Sequence, residues 1–304
     1  MRYRPLGRTG MTVSELGLGC ASYWGRPAFD EATAVRLVHE AIDRGVTFFD
    51  TGSSYAQGEA EPRLGRALKG RAGADLVVAT KAGTAPGGGG RVVRDFSVAG
   101  VTASVEQSLR RLGLEALPLL QLHGPAAQEL TEPFLDGLEA LRRRGLVRSF
   151  GVNSFDPAVV EHALGLPIFD VVMVDYNVLR PEREPLIERA AAAGKAVLAG
   201  MPLAMGHTNL QVLKLGQRQD RWYALRGLVR HPADVLKGAR FAFLNRTRGM
   251  TGAQAALAYV LANPDVACAV TGTTRLEHLV ENLAVSGRKL PFETLSRIRA
   301  AQAA

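Results

Sequence analysis

Leu16-Gly17-Leu18-Gly19-Cys20 decides the fold. The run is short, apolar and uninterrupted, as a strand buried on both faces must be. Two architectures can start on such a strand. An open doubly wound sheet that binds a dinucleotide needs G-x-G-x-x-G between its first strand and first helix. This stretch does not lead into a helix in that way. The open sheet is rejected and a closed barrel is left.

Seven more runs of the same kind follow, at Phe48–Asp50, Leu76–Lys81, Pro118–His123, Val147–Val152, Val171–Asp175, Ala196–Ala199 and Ala267–Thr271. Between them apolar residues recur at helical spacing. Ala34, Leu37, Val38, Ala41 and Ile42 stand on one stripe, and similar patterns cover Val101–Leu112, Pro133–Arg144, Pro185–Ala193, Gly252–Leu261 and Arg275–Val285. Alternation of strand and helix makes the strands parallel, because each helix carries the chain back across the sheet. Eight such repeats predict an α/β fold of the (β/α)8 TIM-barrel type. Three segments stand outside the repeat. Residues 1–14 read as a hairpin turning at Arg8-Thr9-Gly10 that plugs the bottom of the barrel. Residues 204–250 are a long insertion after strand seven, with Trp222, Tyr223 and His231, and residues 288–304 are a terminal helix after Pro291. No linker sets off a second domain, so 1–304 read as one.

The composition fits a folded enzyme-sized domain: 304 residues, 47% hydrophobic and 22% charged. No apolar run reaches the ~18 residues of a spanning helix, and Met1-Arg2-Tyr3-Arg4-Pro5-Leu6 lacks the apolar core of a signal peptide. Cys20 and Cys268 lie far apart and in no metal-ligand spacing, which predicts a reduced, cytoplasmic protein. A net charge of +8 raises nucleic acid, a membrane surface and anionic small molecules as partners. The arginines are scattered, often at helix ends as in Arg142-Arg143-Arg144, and no nucleic-acid motif is present. The expectation is a basic-surfaced soluble protein without nucleic-acid or membrane partners, monomeric or homo-oligomeric.

In a barrel of this kind the reaction site lies where strands end at their carboxyl side. Four polar residues fall there: Asp50 at the end of strand two, Tyr55 in the loop after it, Lys81 ending strand three and His123 ending strand four. Each has a bland explanation, as a turn cap, a packing ring, a solvated cation or a satisfied imidazole. Four at adjacent strand ends point to a shared site.

Phe49-Asp50-Thr51-Gly52-Ser53-Ser54-Tyr55, with Gly58-Glu59 behind it, resembles the aldo-keto reductase signature. Ala79-Thr80-Lys81 resembles that family's lysine segment, and Leu120-Gln121-Leu122-His123 its histidine segment. Leu6-Gly7-Arg8-Thr9-Gly10, Val13-Ser14 and Gly272-Thr273-Thr274-Arg275 match in the same order over roughly the whole chain. The resemblance implies reduction of a small-molecule aldehyde or ketone with NADPH, or with NADH. Carbonyl reduction needs a hydride at carbon, which nicotinamide supplies, and a proton at oxygen, which the protein supplies. A phenol with a pKa near ~10 benefits from tuning as an acid near neutrality. The roles implied are Tyr55 as acid, Lys81 as the cation that tunes it, Asp50 as anchor of Lys81, and His123 as the group that orients the substrate.

Gly272-Thr273-Thr274-Arg275-Leu276-Glu277 follows strand eight and opens a helix, with Thr274 and Glu277 as a possible capping box. Helix N-termini favour phosphate, and in the family this turn holds the adenosine phosphate. Many members carry Lys where Gly272 stands and Arg where His278 stands. The expected phosphate contacts are therefore Thr273, Thr274 and Arg275, with Glu281 and Asn282 resembling the adenine contacts. On the nicotinamide side the family has Ser-Asn after strand five, Gln in strand six and an aromatic residue in strand seven. Here stand Asn153-Ser154, Met173 and Gly200-Met201-Pro202-Leu203, with Met201 a partial substitute for the aromatic surface. Gly19 and Cys20 complete the expected cofactor set.

Tyr23 and Trp24, just past strand one, are candidates for a substrate wall. Gly87–Gly90 lacks a phosphate-loop pattern and reads as a flexible rim. His39 and His162 lie in helical patterns, and His207 and His231 in the insertion. No spacing suggests a metal, which leaves a metal-dependent hydrolase without ligands. The alternative to an enzyme is a non-catalytic subunit of the same fold that senses cofactor redox state and docks a partner.

Overall fold

Each of the eight apolar runs forms a strand, and these strands pair side by side in chain order until the last meets the first. The structure, a computed structural model, describes residues 1–71, 75–206 and 232–303. A hairpin, β1 (Tyr3–Pro5) and β2 (Thr12–Ser14), precedes the barrel. The barrel strands are β3 (Leu16–Gly19), β4 (Phe48–Asp50), β5 (Val77–Ala82), β8 (Leu117–His123), β9 (Val147–Asn153), β10 (Phe169–Asp175), β11 (Ala196–Gly200) and β12 (Val266–Thr271). A second hairpin, β6 (Thr84–Pro86) with β7 (Val92–Arg94), stands between β5 and the third helix. The expected (β/α)8 barrel is the fold.

Barrel interior and exterior alternate along each strand, and the register shows which residues point inward. Phe48 pairs with Val77, Val171 with Ala196, and Leu198 with Cys268, and these belong to one buried cluster with Ala79, Leu119, Met173 and Val270. Gly17 lies on the same inward face. A Cβ there would come within 2.8 Å of the Phe48 ring and 3.0 Å of the Cys268 sulfur. Gly17 is thus what a filled barrel centre requires next to a phenylalanine. Leu6 and Val13 of the β1–β2 hairpin join this cluster from the bottom, which is the plug expected of residues 1–14.

The outer layer begins with α1 (Glu31–Asp43), α2 (Ala60–Leu68), α3 (Val98–Leu112), α4 (Glu132–Arg143), α5 (Pro157–Leu164) and α6 (Glu184–Ala192). In α1 the stripe Ala34, Leu37, Val38 and Ala41 is buried, and Asp30 caps the helix by accepting from the Thr33 amide at 2.8 Å. Helices over Pro232–Ala239, Gly252–Ala262, Leu276–Leu283 and Phe292–Ala303 follow. His207, Trp222, Tyr223 and His231 of the insertion lie outside the described residues. Among the described residues no helix is long and apolar enough to cross a membrane.

Candidate active site

The register carries three of the four catalytic candidates onto the inward face at the carboxyl ends. Asp50 pairs with Ala79, Lys81 lies two residues further along the same strand and pairs with Gln121, and His123 lies two beyond that and pairs with Asn153. Each step of two keeps the side chain on the same face. The stagger of a closed barrel therefore raises Asp50, Lys81 and His123 in sequence toward the mouth.

The Lys81 ammonium is buried and donates to Asp50 Oδ1 at 2.7 Å, Asp50 Oδ2 at 2.6 Å and the Thr51 carbonyl at 2.8 Å, with the Tyr55 side chain as a further hydrogen-bond partner. Burial by itself lowers the pKa of a lysine, but the Asp50 carboxylate and the Tyr55 side chain beside it raise Lys81 above its ordinary value. At Asp50 burial prevails over the pull of Lys81 and Gln121 and pushes the carboxyl up. The ion pair is the form the geometry requires, because all three Lys81 donors meet oxygen. Gln121 secures the carboxylate from its other side, donating to Oδ1 at 3.0 Å.

Tyr55 reaches the pair through the turn that follows β4. Its amide closes on the Gly52 carbonyl at 3.0 Å, and its ring folds back over Gly52, where a Cβ would lie 3.2 Å from the ring edge. Glycine at 52 is what lets the ring lie there. The Lys81 nitrogen is 4.9 Å from the Tyr55 ring centroid, and the His123 ring stands edge-on to the same ring, centroids 5.4 Å apart at 88°. Ala56 and Gln57 follow with φ of 52° and 60°, left-handed values that non-glycine residues rarely hold. Met201 and Ala204, after β11, are the other two non-glycine residues of this kind among the described residues. All four lie in loops at the carboxyl end of the barrel, where strain concentrates at functional sites.

His123 is half-buried at the mouth of the barrel. Burial first, then the cations of Lys81 and Arg94, bring its pKa down to about 3, so the imidazole is neutral near pH 7. Its Nδ1 is 2.8 Å from the Thr84 hydroxyl, and that hydroxyl is 3.0 Å from the hydroxyl of Ser54. Nothing in the local sequence singles out Thr84; its meaning comes from a hairpin that folds back against β8. Arg94, at the other end of that hairpin, donates to the Gly124 carbonyl at 2.8 Å and to Glu129 at 2.8 Å.

The cofactor candidates fall on both sides of the mouth. Asn153 and Ser154 are buried at the end of β9, Asn153 beside His123 and Met173, while the Ser154 hydroxyl accepts from the Asp156 amide. Gly200 ends β11 on the inward face. A Cβ there would make only ordinary contacts, with the Val174 carbonyl, Met173 and, at 3.6 Å, the ring of Phe155. Phe155 is 42% exposed and was not among the sequence candidates. Met201 is half-buried, its carbonyl accepting from Asn177, with Pro202 buried and Leu203 half-buried after it.

Across the mouth, Gly272 is exposed, Thr273 and Thr274 are buried, and the helix Leu276–Leu283 starts beyond them. The Thr274–Glu277 capping box is not formed: Arg275 is the N-cap residue, no side chain caps the helix, and Thr273 instead accepts from the Arg275 amide at 3.1 Å. The N-terminus is therefore left uncapped by side chains and beside an arginine, which fits a phosphate. His278 is exposed, Asn282 is buried, and the Glu281 carbonyl is held by Gln254 at 2.8 Å. Gly19 pairs with Asp50, and the Gly272 Cβ position is 3.4 Å from the Gly19 carbonyl, so the first and last strands meet at this corner. Cys20 is buried, its amide bonded to the Asp50 carbonyl at 2.7 Å. Tyr23 and Trp24 are also buried, Tyr23 edge-on to Phe29 and Trp24 beneath the Arg63 guanidinium.

Residues 15–303 match the model of the Aldo/keto reductase family. Of the curated relatives, the uncharacterized oxidoreductase YqkF of Bacillus subtilis (strain 168) is 29% identical over 98% of this chain and 96% of its own length. L-galactose dehydrogenase of Arabidopsis thaliana is 29% identical over 98% of this chain and 93% of its own. Among solved structures, the holo form of aldo-keto reductase AKR11C1 from Bacillus halodurans superposes with a TM-score of 0.83 at 27% identity, covering 99% of this chain and 96% of that one.

Proposed function

The chain belongs to the aldo/keto reductase family, and on that premise we propose that it reduces an aldehyde or ketone to the alcohol with NADPH, Tyr55 delivering the proton. The observation that carries this reading is the position of the Lys81 ammonium. It is held by both oxygens of Asp50 and lies 4.9 Å from the Tyr55 ring centroid, with the His123 ring perpendicular to the Tyr55 ring at 5.4 Å.

The bound cofactor supplies a hydride to the carbonyl carbon. Every other requirement falls to the chain's own residues. As the Tyr55 proton passes to the carbonyl oxygen, negative charge grows on the phenol oxygen, and the adjacent Lys81 cation stabilises it. Asp50 keeps that cation charged and immobile in a buried place. His123, neutral, offers a hydrogen bond to the same carbonyl oxygen. The reverse reaction uses the same groups, with Tyr55 accepting the proton of the alcohol.

Thr273, Thr274 and the amides opening the helix Leu276–Leu283 are assigned to the adenosine phosphate, with Arg275 as the cation that favours NADPH over NADH. His278, Glu281 and Asn282 are assigned to the adenosine. Gly19, Cys20, Asn153, Ser154 and the Met201–Leu203 turn are assigned to the nicotinamide side and would hold that ring, with Phe155 beside Gly200 as a further apolar surface for it. The buried, unpaired Cys20 and Cys268 suit a reducing cytoplasm.

Purified protein mixed with NADPH and a panel of aldehydes should consume the reduced cofactor. Tyr55→Phe should abolish that consumption while NADPH still binds. Full turnover by the variant would remove Tyr55 from the role of acid, and cofactor binding without turnover on any carbonyl would favour the sensor alternative.

A further inference from the structure

We propose that Thr84 is the positioning residue that holds His123 in its Nε2–H tautomer, donating its hydroxyl hydrogen to Nδ1 while accepting one from Ser54. A neutral imidazole carries one hydrogen, and the partner of one ring nitrogen determines which nitrogen has it. Three arrangements are compatible with the 2.8 Å and 3.0 Å contacts of the Thr84 hydroxyl. In the first, hydrogens run from Ser54 to Thr84 to Nδ1, and Nε2 keeps its own. In the second, Nδ1–H donates to Thr84 and Thr84 to Ser54. In the third, Nδ1–H and Ser54 both donate to Thr84. Ser54 and Thr84 are both buried, and Thr84 is the only hydrogen-bond partner of the Ser54 hydroxyl among the described residues. The second arrangement strands the Ser54 hydrogen without an acceptor, and the third strands that of Thr84, whose hydroxyl has no other partner among the described residues; burial strongly disfavours both. The first gives both hydroxyl hydrogens an acceptor.

Thr84 is itself fixed. Its carbonyl accepts from the Ser53 hydroxyl at 2.7 Å, and the preceding Gly83 takes a φ of +90° with the Phe96 ring packed where a side chain would be. The pairing with β7 then holds the residue from the far side, Thr84 opposite Arg94. The catalytic consequence rests on the carbonyl-reduction reading above: with Nε2–H, His123 presents a hydrogen to a carbonyl oxygen, whereas the other tautomer presents a lone pair to lone pairs.

The test is imidazole 15N NMR of the whole protein at neutral pH, with His123 assigned by the signals lost in His123→Gln. Wild type should show hydrogen on Nε2 and a bare Nδ1. Thr84→Val should mix or invert the tautomers and lower carbonyl turnover by at least about tenfold, with NADPH affinity held within about twofold; Thr84→Ser should restore both. A bare Nε2 in the wild type overturns the proposal without recourse to any variant. So does a Thr84→Val protein with unchanged tautomer and turnover. A wild type with Nε2–H that reduces no carbonyl upholds the tautomer assignment and defeats the functional reading instead.

Discussion

Both carboxylate oxygens of Asp50 lie on the Lys81 ammonium, at 2.7 and 2.6 Å, where neither side chain has appreciable contact with solvent. A buried pair of this kind is no guarantee of stability, but breaking it from one side leaves an uncompensated charge. Asp50→Asn should therefore cost about 3–5 kcal/mol of unfolding free energy near neutral pH. Part of that loss is relieved if Lys81 gives up its proton, which removes the cation from beside Tyr55. Turnover should then fall by about 100-fold with little change in cofactor affinity. Chemical denaturation and steady-state kinetics of the variant check the two halves separately. A variant as stable and as active as wild type would mean the pair neither anchors nor tunes.

His123 ties stability to pH in the same acid direction as a paired carboxylate, with the loss beginning at a higher pH. Its folded value is about 3 against 6.5 for the free side chain. Between those values the unfolded chain binds a proton that the folded chain refuses, so unfolding becomes easier as pH falls. The contribution is complete above pH 6.5 and gone below about 3. Its full span is on the order of 5 kcal/mol. Wild type should thus lose stability faster than His123→Gln as the pH drops from 7 to 4.5, measured by denaturant midpoints. Parallel curves would show that the imidazole titrates freely. The carbonyl-reduction rate should show no His123 inflection near 6.5.

Glu61 is fully buried between three elements: it accepts from Thr80 of β5 at 2.6 Å and from Arg111 of α3 at 3.2 Å, while riding on α2 directly after the Tyr55 loop. Arg111→Met leaves the carboxylate with the hydroxyl alone. The expected loss is about 3 kcal/mol in a denaturation experiment, with carbonyl turnover near wild type at temperatures where the variant is folded. Adding Glu61→Gln to Arg111→Met should recover part of it, since the two sites share one interaction. Additive losses would show the pair to be uncoupled.

How far this arrangement was readable in advance varies by element. Leu16–Gly19 and Phe48–Asp50 form strands on the residues their apolar runs mark, and the other six barrel strands differ by no more than two residues at either end. Strands covered on both faces have nowhere to hide polar residues, so the pattern is plain. The α2 helix has no such pattern. Glu61 and Arg63 are buried, Pro62 and Gly65 interrupt the run, and two of its six buried residues are ionic. The β6–β7 hairpin is masked by Gly87–Gly90, which read as a flexible rim. Gln121 was open to inference from alternation, since it shares a strand face with His123. Thr84 and Phe155 were not, because each acquires its role only from contact with a segment remote in the chain.

Phe155 gives the cofactor reading a direct test. Its ring lies 3.6 Å from where a Cβ of Gly200 would stand, at the strand end where the family resemblance implies an aromatic residue, and the residue is 42% open to solvent. If that face receives the nicotinamide, the packing contributes about 1 kcal/mol, and Phe155→Ala should raise the NADPH dissociation constant about fivefold. Gly200 has room for a Cβ at ordinary contact distance, so Phe155→Ala combined with Gly200→Phe should return the affinity toward wild type by moving the ring from the loop after β9 to the end of β11. Fluorescence titration of the reduced cofactor measures both. An unchanged dissociation constant in Phe155→Ala would exclude the ring from the cofactor site, and a double variant weaker than the single one would show that Gly200 is needed for space and not merely bare of a ring.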